Sequence, residues 1–149
     1  DQYLNDSFNL DESFSSYPEN LSEIHTEDIF SQLPKNTREL LSKYRGITKL
    51  FDWQEKILKL PCIYKGGNLI YTSPTGGGKT LVSELILMRE VLTYRKNAIY
   101  VVPYVSLAHE KVSSLAPLGC SLGFHVEEYA SSKGIIPPRK RYKRNSIYI

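Results

Sequence analysis

The alternation of apolar and polar positions divides the chain into a polar first quarter and a patterned remainder. Residues 1–35 are rich in Ser, Asn, Asp and Glu with scattered Phe and Tyr. That composition reads as a disordered acidic lead-in, with a helical turn or two between Glu23 and Leu33, before Pro34. From Thr37 onward the pattern becomes regular. Thr37 is a fair N-cap for a helix with Leu40, Leu41 and Tyr44 on its apolar side, ended by Gly46. A second helix is predicted from Asp52 to Leu60, supported by Glu55 and Lys59 at helical spacing and stopped before Pro61. An apolar run, Leu69 to Thr72, reads as a strand. After a glycine-rich turn, Leu81, Leu85, Met88 and Leu92 form one stripe of a helix running to Tyr94. Ala98 to Val102 reads as a strand buried on both faces, broken by Pro103. A helix from Val105 to Leu115 and short strands at Gly123–Val126 and Ile147–Ile149 complete the alternation. Strand and helix in turn imply a parallel sheet with helices packed on both faces, an α/β fold.

The turn between the first strand and its helix is the most specific feature. Ser73-Pro74-Thr75-Gly76-Gly77-Gly78-Lys79-Thr80 follows a strand pattern and opens a helix, the order that makes a phosphate cradle. The glycines let successive backbone N–H groups approach phosphate oxygens. Lys79 then reaches the β- and γ-phosphates, and the Thr80 hydroxyl can hold Mg²⁺, so ATP and Mg²⁺ are the expected ligands. The general pattern opens with Gly, whereas Ser stands at position 73, so the turn relies on Gly76 to Gly78. The competing reading, a glycine-rich surface turn, does not account for the strand before it and the helix after it.

Charge changes the picture next. The formal net charge is +3, yet residues 1–30 hold eight carboxylates and no Lys or Arg; the rest has nineteen basic residues against eight acidic ones, net +11. A basic body suits a polyanion such as nucleic acid. Cys62 and Cys120 are too few for a disulfide framework and lack metal-ligand spacing, as do His25, His109 and His125, so reduced, intracellular thiols are expected. No apolar run approaches membrane-spanning length, and no secretory signal opens the chain. The chain opens on Asp1 and closes inside a strand pattern, so it is expected to be a piece of a longer protein.

Four segments, in order, resemble the first motor domain of superfamily-2 helicases, and within it the POLQ-like helicase (HELQ) family. They are Leu50-Phe-Asp-Trp-Gln54, Ser73 to Thr80, Tyr100-Val-Val-Pro-Tyr-Val-Ser-Leu-Ala-His-Glu-Lys111, and Gly123-Phe-His-Val-Glu-Glu-Tyr-Ala-Ser-Ser-Lys-Gly134. The resemblance covers about three quarters of the chain, and the Glu127 to Gly134 segment is the narrowest of the four. It implies a truncated RecA-like P-loop domain over residues 37–149, after a lead-in at 1–36. It also implies an ATP-dependent, 3′–5′ single-stranded DNA helicase of nuclear DNA repair.

By the same resemblance, Gln54 reads the adenine edge, with Phe51 or Leu50 against the base; a solvated helix glutamine is the plain alternative. Trp53 reads as core. Pro103 and Tyr104 belong to a segment that holds phosphates of the tracked strand. The family has Gln where His109 stands. Ser132 and Lys133 lie in a loop that either wraps a phosphate or is bare surface. Arg139, Lys140 and Arg141, in a basic run through Arg144, read as a nucleic-acid patch, a solvated loop or a nuclear address. Three rivals remain open: the helicase part of DNA polymerase theta, a superfamily-2 RNA helicase, and a non-catalytic nucleic-acid scaffold. Kinases and GTPases share the P-loop but explain neither Gln54 nor the Pro103 segment.

Overall fold

The computed structural model describes residues 28–134, 136–138 and 143–149. A 3₁₀ turn, Ile29–Gln32, precedes helices α1 (Thr37–Arg45), α2 (Asp52–Leu58), α3 (Pro61–Tyr64) and α4 (Lys79–Leu92). Strand β1 (Ala98–Ile99), helix α5 (Val105–Leu122) and strands β2 (His125–Glu127) and β3 (Ser146–Tyr148) follow. The strands form a parallel sheet in the order β1-β3-β2, with Ala98 and Val126 both opposite Ile147. Residues in register share a face, so these three point the same way. Helix α4 packs on β1 and β3, and the stripe read from the sequence is buried there: Leu81, Leu85 and Met88 of α4 are buried, as is Ile147. Helix α5 comes down on β2 closely enough that a methyl on Gly119 would lie 3.3 Å from the Val126 side chain and 2.8 Å from the Phe124 carbonyl.

The α/β class is as expected, but several elements differ in extent. Residues 69–72 are not a strand; they run without ladder partners among the described residues, and Ile70 is 87% exposed. The Ala98–Val102 strand shrinks to two residues and is not buried on both faces: Ile99 is 73% and Val101 84% exposed. A strand forms only where a neighbour supplies the ladder, and the sheet edge beyond β1 has none among the described residues.

Helix α5 runs seven residues past Leu115, through Pro117, to an αL cap at Gly123. Proline removes one helical donor and normally stops a helix. Here Leu118 and Gly119 beyond it are buried, and Arg45 donates to the nearby Ser114 carbonyl at 3.1 Å. Burial on the far side of the break outweighs the lost bond. Arg45 also pairs with the buried Glu84, so one guanidinium ties α1 to both α4 and α5.

Near the start, Thr37 is the first helical residue and Asn36 the cap, whereas Gly46 closes α1 in the αL region as expected. Helix α2 stops two residues early, at Leu58, and Pro61 opens the short α3. Asp28 caps the 3₁₀ turn, and Ile29 and Leu33 are buried in the core. Packed structure therefore begins by Asp28 rather than at Thr37. Residues 1–27 of the acidic lead-in, the early part of the Glu23–Leu33 turn, and His25 lie outside the described residues.

Candidate nucleotide site and nucleic-acid surface

The glycine loop is built from its backbone. Gly78, at φ 82°, is the αL N-cap of α4, with no side chain to cap the helix. Gly76 is also left-handed, at φ 79°. Only glycine takes such angles without strain. The Gly77 N–H bonds the Pro74 carbonyl at 3.0 Å, closing the turn. A methyl on Gly77 would lie 2.2 Å from the Ser73 hydroxyl oxygen, so the side chain at 73 fills the space over the turn that an opening glycine would leave empty. The N–H groups of Gly76, Gly78, Lys79 and Thr80 have no backbone or side-chain acceptor among the described residues. The last two are the orphan donors that every helix N-terminus leaves, here aligned with the positive end of α4. This donor set, with open space beside Gly76, fits an anionic phosphate chain.

Lys79 is folded back: its ammonium donates to the Ser73 and Pro74 carbonyls, the latter at 2.8 Å. Phosphate oxygens are stronger acceptors than peptide carbonyls, so the same ammonium can transfer to a ligand. The Tyr71 hydroxyl donates to the Lys79 carbonyl at 2.8 Å, and Trp53 lies against its ring, centroids 6.3 Å apart. Burial pushes the Tyr71 phenol above its ordinary value, keeping it a neutral donor. This tie was missed in the sequence, where Tyr71 reads only as part of a strand. Thr80 is exposed at the mouth of the loop, as a hydroxyl that is to meet a metal must be.

Gln54 is placed against this loop but not in the open. It is 1% exposed; its carbonyl oxygen accepts the Phe51 N–H and its amide donates to the Gly78 carbonyl, each at 2.9 Å. The plain alternative, a solvated glutamine, is excluded. Leu50 is buried and so is not available to a base, whereas Phe51, 58% exposed beside Gly78, is. Trp53 is half-buried and packs against the core.

The second group of expected residues lies beyond the carboxyl ends of β1 and β2, which share one edge of the parallel sheet. Pro103 and Tyr104 are exposed, and Tyr104 caps α5 in extended conformation without a side-chain bond. Ser132 is exposed in the turn after β2. Lys133 is not free: it pairs with Glu128 at 2.9 Å, and Glu128 also meets His109 of α5 at 2.8 Å. The hydrogen bond from Lys133 holds the Glu128 carboxyl below its usual range, with His109 adding to the effect. Glu128 thus joins the loop to α5. Its sequence signal, a carboxylate five residues before a lysine across a tight turn, was too common to single out. Arg139, Lys140 and Arg141 lie outside the described residues. No group of three or more His, Cys, Asp or Glu suited to a metal occurs among the described residues, and none of their helices is long and apolar enough to cross a membrane. Cys62 and Cys120 are free.

Comparison with known proteins places these features in context. Residues 52–149 match the family model described as DEAD/DEAH box helicase. The chain is 47% identical over 120 residues to the human protein named Helicase POLQ-like, covering 80% of this chain and 11% of that protein. It is 42% identical over 102 residues to mouse DNA polymerase theta, covering 67% of this chain and 4% of the relative. Against the ATP-dependent DNA helicase Hel308 of Thermococcus kodakarensis it is 40% identical over 81 residues, 54% of this chain and 7% of the relative. The chain therefore spans only a small part of the curated relatives it matches.

Proposed function

The chain belongs to the DEAD/DEAH box helicase family, and from that premise we propose that it is the nucleotide-binding part of the first motor domain of an ATP-dependent DNA helicase. In this reading the whole protein moves 3′ to 5′ along single-stranded DNA and serves nuclear DNA repair. The observation that carries it is the loop at the start of α4, where, among the described residues, four backbone N–H groups have no acceptor and stand beside a lysine held by two carbonyls. A triphosphate satisfies all of these at once.

The N–H groups from Gly76 to Thr80 hold the phosphates, with Ser73, Pro74 and Thr75 shaping the approach. Lys79 leaves its two carbonyls for the β- and γ-phosphates. The Thr80 hydroxyl would hold Mg²⁺ in part, and the ion would supply charge neutralisation when bound. Phe51 packs against the base. At the same sheet edge, Pro103, Tyr104, Ser132 and Lys133 face the phosphates of the DNA strand, and the Arg139–Arg141 run, which lies outside the described residues, adds positive charge to the chain that binds it. Lys133 must exchange Glu128 for phosphate to do so. The isolated 149-residue chain binds nucleotide without measurable turnover, because residues 81–149 hold no Asp-Glu pair to position the attacking water.

The test is strand separation by the full-length protein on DNA and RNA duplexes with 3′ or 5′ single-stranded tails. ATP-dependent opening of 3′-tailed DNA is expected. Preference for RNA supports an RNA helicase instead, and no opening of any duplex supports a scaffold.

A further inference from the structure

The carboxylate of Glu128 sits between helix α5 and the turn after β2, and its two oxygens are held differently. Oε1 is buried, and Nδ1 of His109 on α5 lies 2.8 Å from it. A buried carboxylate oxygen needs a donor, so this is the fixed end. Oε2 takes the Lys133 ammonium at 2.9 Å, and that lysine side chain is 57% exposed, so this end faces solvent and can exchange.

The turn that carries Lys133 does not depend on this pair. The Lys133 N–H closes it on the Ala130 carbonyl at 3.1 Å, and the Tyr129 N–H joins it to the Ile149 carbonyl at 2.5 Å. Gly134, at φ 92°, lies so close to the Tyr129 ring that a methyl there would be 2.5 Å from it. That ring in turn meets Tyr148 of β3 edge-on, with centroids 5.3 Å apart. Loss of the carboxylate therefore frees the ammonium and leaves the backbone of the turn in place.

We propose that Glu128 is a built-in competitor for the nucleic-acid strand: it occupies Lys133 when no phosphate is there and reclaims it when the phosphate leaves, which keeps the grip of this surface weak enough to release. This rests on the strand-surface reading above and adds a regulator to it. A backbone phosphate must displace a carboxylate already in contact, and His109 keeps that carboxylate within reach of the departing lysine. The exchange also alters the ion balance. A free lysine that neutralises a phosphate releases a counterion, whereas a lysine taken from Glu128 leaves behind a carboxylate that takes one up. Lys133 therefore adds affinity in the wild type but little salt dependence; without Glu128 it adds both.

The experiment titrates the full-length protein onto a fluorescent single-stranded oligothymidylate, read by anisotropy over a range of salt. Glu128→Gln should tighten binding by up to about fivefold, the range of an exposed ion pair. It should also steepen the log–log salt slope by about 0.7, the value for one phosphate on a single strand. Glu128→Ala should do the same. In a Lys133→Ala background, neither substitution should change affinity or slope. That comparison separates competition for Lys133 from plain charge repulsion, which acts whether or not the lysine is there. An equal gain with Lys133 removed, or no gain with it present, overturns the proposal while leaving the strand surface standing. A wild-type protein that does not bind the oligonucleotide removes that surface and this inference with it.

Discussion

Gln54 and Glu128 each tie a loop to a helix, and they do it in opposite ways. Gln54 is buried and joins two backbone groups, the Phe51 N–H and the Gly78 carbonyl, in bonds of 2.9 Å. Glu128 joins two exposed side chains, through an ion pair to Lys133 and a 2.8 Å contact with His109, both of which solvent can replace. The first kind of tie holds one geometry, because a buried amide deprived of its partners is expensive. The second is readily exchanged, because an ion pair at the surface contributes little. A site for a compact triphosphate benefits from the former. In the proposed function, a surface over which a strand moves benefits from the latter.

The largest effect expected from this contrast is at Lys79. Lys79→Ala in the full-length enzyme should abolish ATP turnover while leaving single-strand binding largely intact; a steady-state assay showing undiminished turnover would remove the loop from the mechanism. Next comes Gly78→Ala, which forces a side chain into φ 82° and against the Gln54 amide 2.5 Å away. It should cost about 1–3 kcal/mol of stability and weaken ATP at least about tenfold, read by thermal melting and calorimetry. Both substitutions strike the buried, backbone-defined side.

Smaller effects are expected on the exchangeable side. Neutralising Arg139, Lys140 and Arg141 should flatten the dependence of DNA affinity on salt, by about one unit of log–log slope for each phosphate that is no longer neutralised. An unaltered slope returns that run to plain surface. The smallest effect concerns Glu128. Its carboxyl titrates below the ordinary 4.5, so its tie to Lys133 is complete above that value and is lost as the pH falls through the depressed one. Carboxyl chemical shifts should give a midpoint under 4.5, and a midpoint at or above it means that the tie does not form in solution.

The same contrast explains what could be read from the residues alone. The α4 stripe, the stop at Gly46 and the glycine loop rest on local periodicity and on backbone angles that one residue type favours, and all three stand in the structure. Leu69 to Thr72 and Ala98 to Val102 looked like full strands because their residues suit a sheet. Pairing, however, depends on a distant neighbour that composition does not reveal. The helix from Val105 reads as ending at Leu115, since nothing local shows that Leu118 and Gly119 are buried beyond Pro117. Gln54 was identified as a site residue, yet its buried bonds to Phe51 and Gly78 depend on how α2 meets the loop, 24 residues further on. The Glu128 pairs are ordinary surface chemistry, indistinguishable in sequence from many others.

The most direct test of the phosphate loop is a crystal structure of this chain with Mg²⁺ and a non-hydrolysable ATP analogue. The phosphate oxygens should lie about 3 Å from the N–H groups between Gly76 and Thr80, with the Lys79 ammonium moved off the Ser73 and Pro74 carbonyls onto the analogue. A loop without bound phosphate at saturating analogue, or a Lys79 still resting on those two carbonyls, would contradict the account.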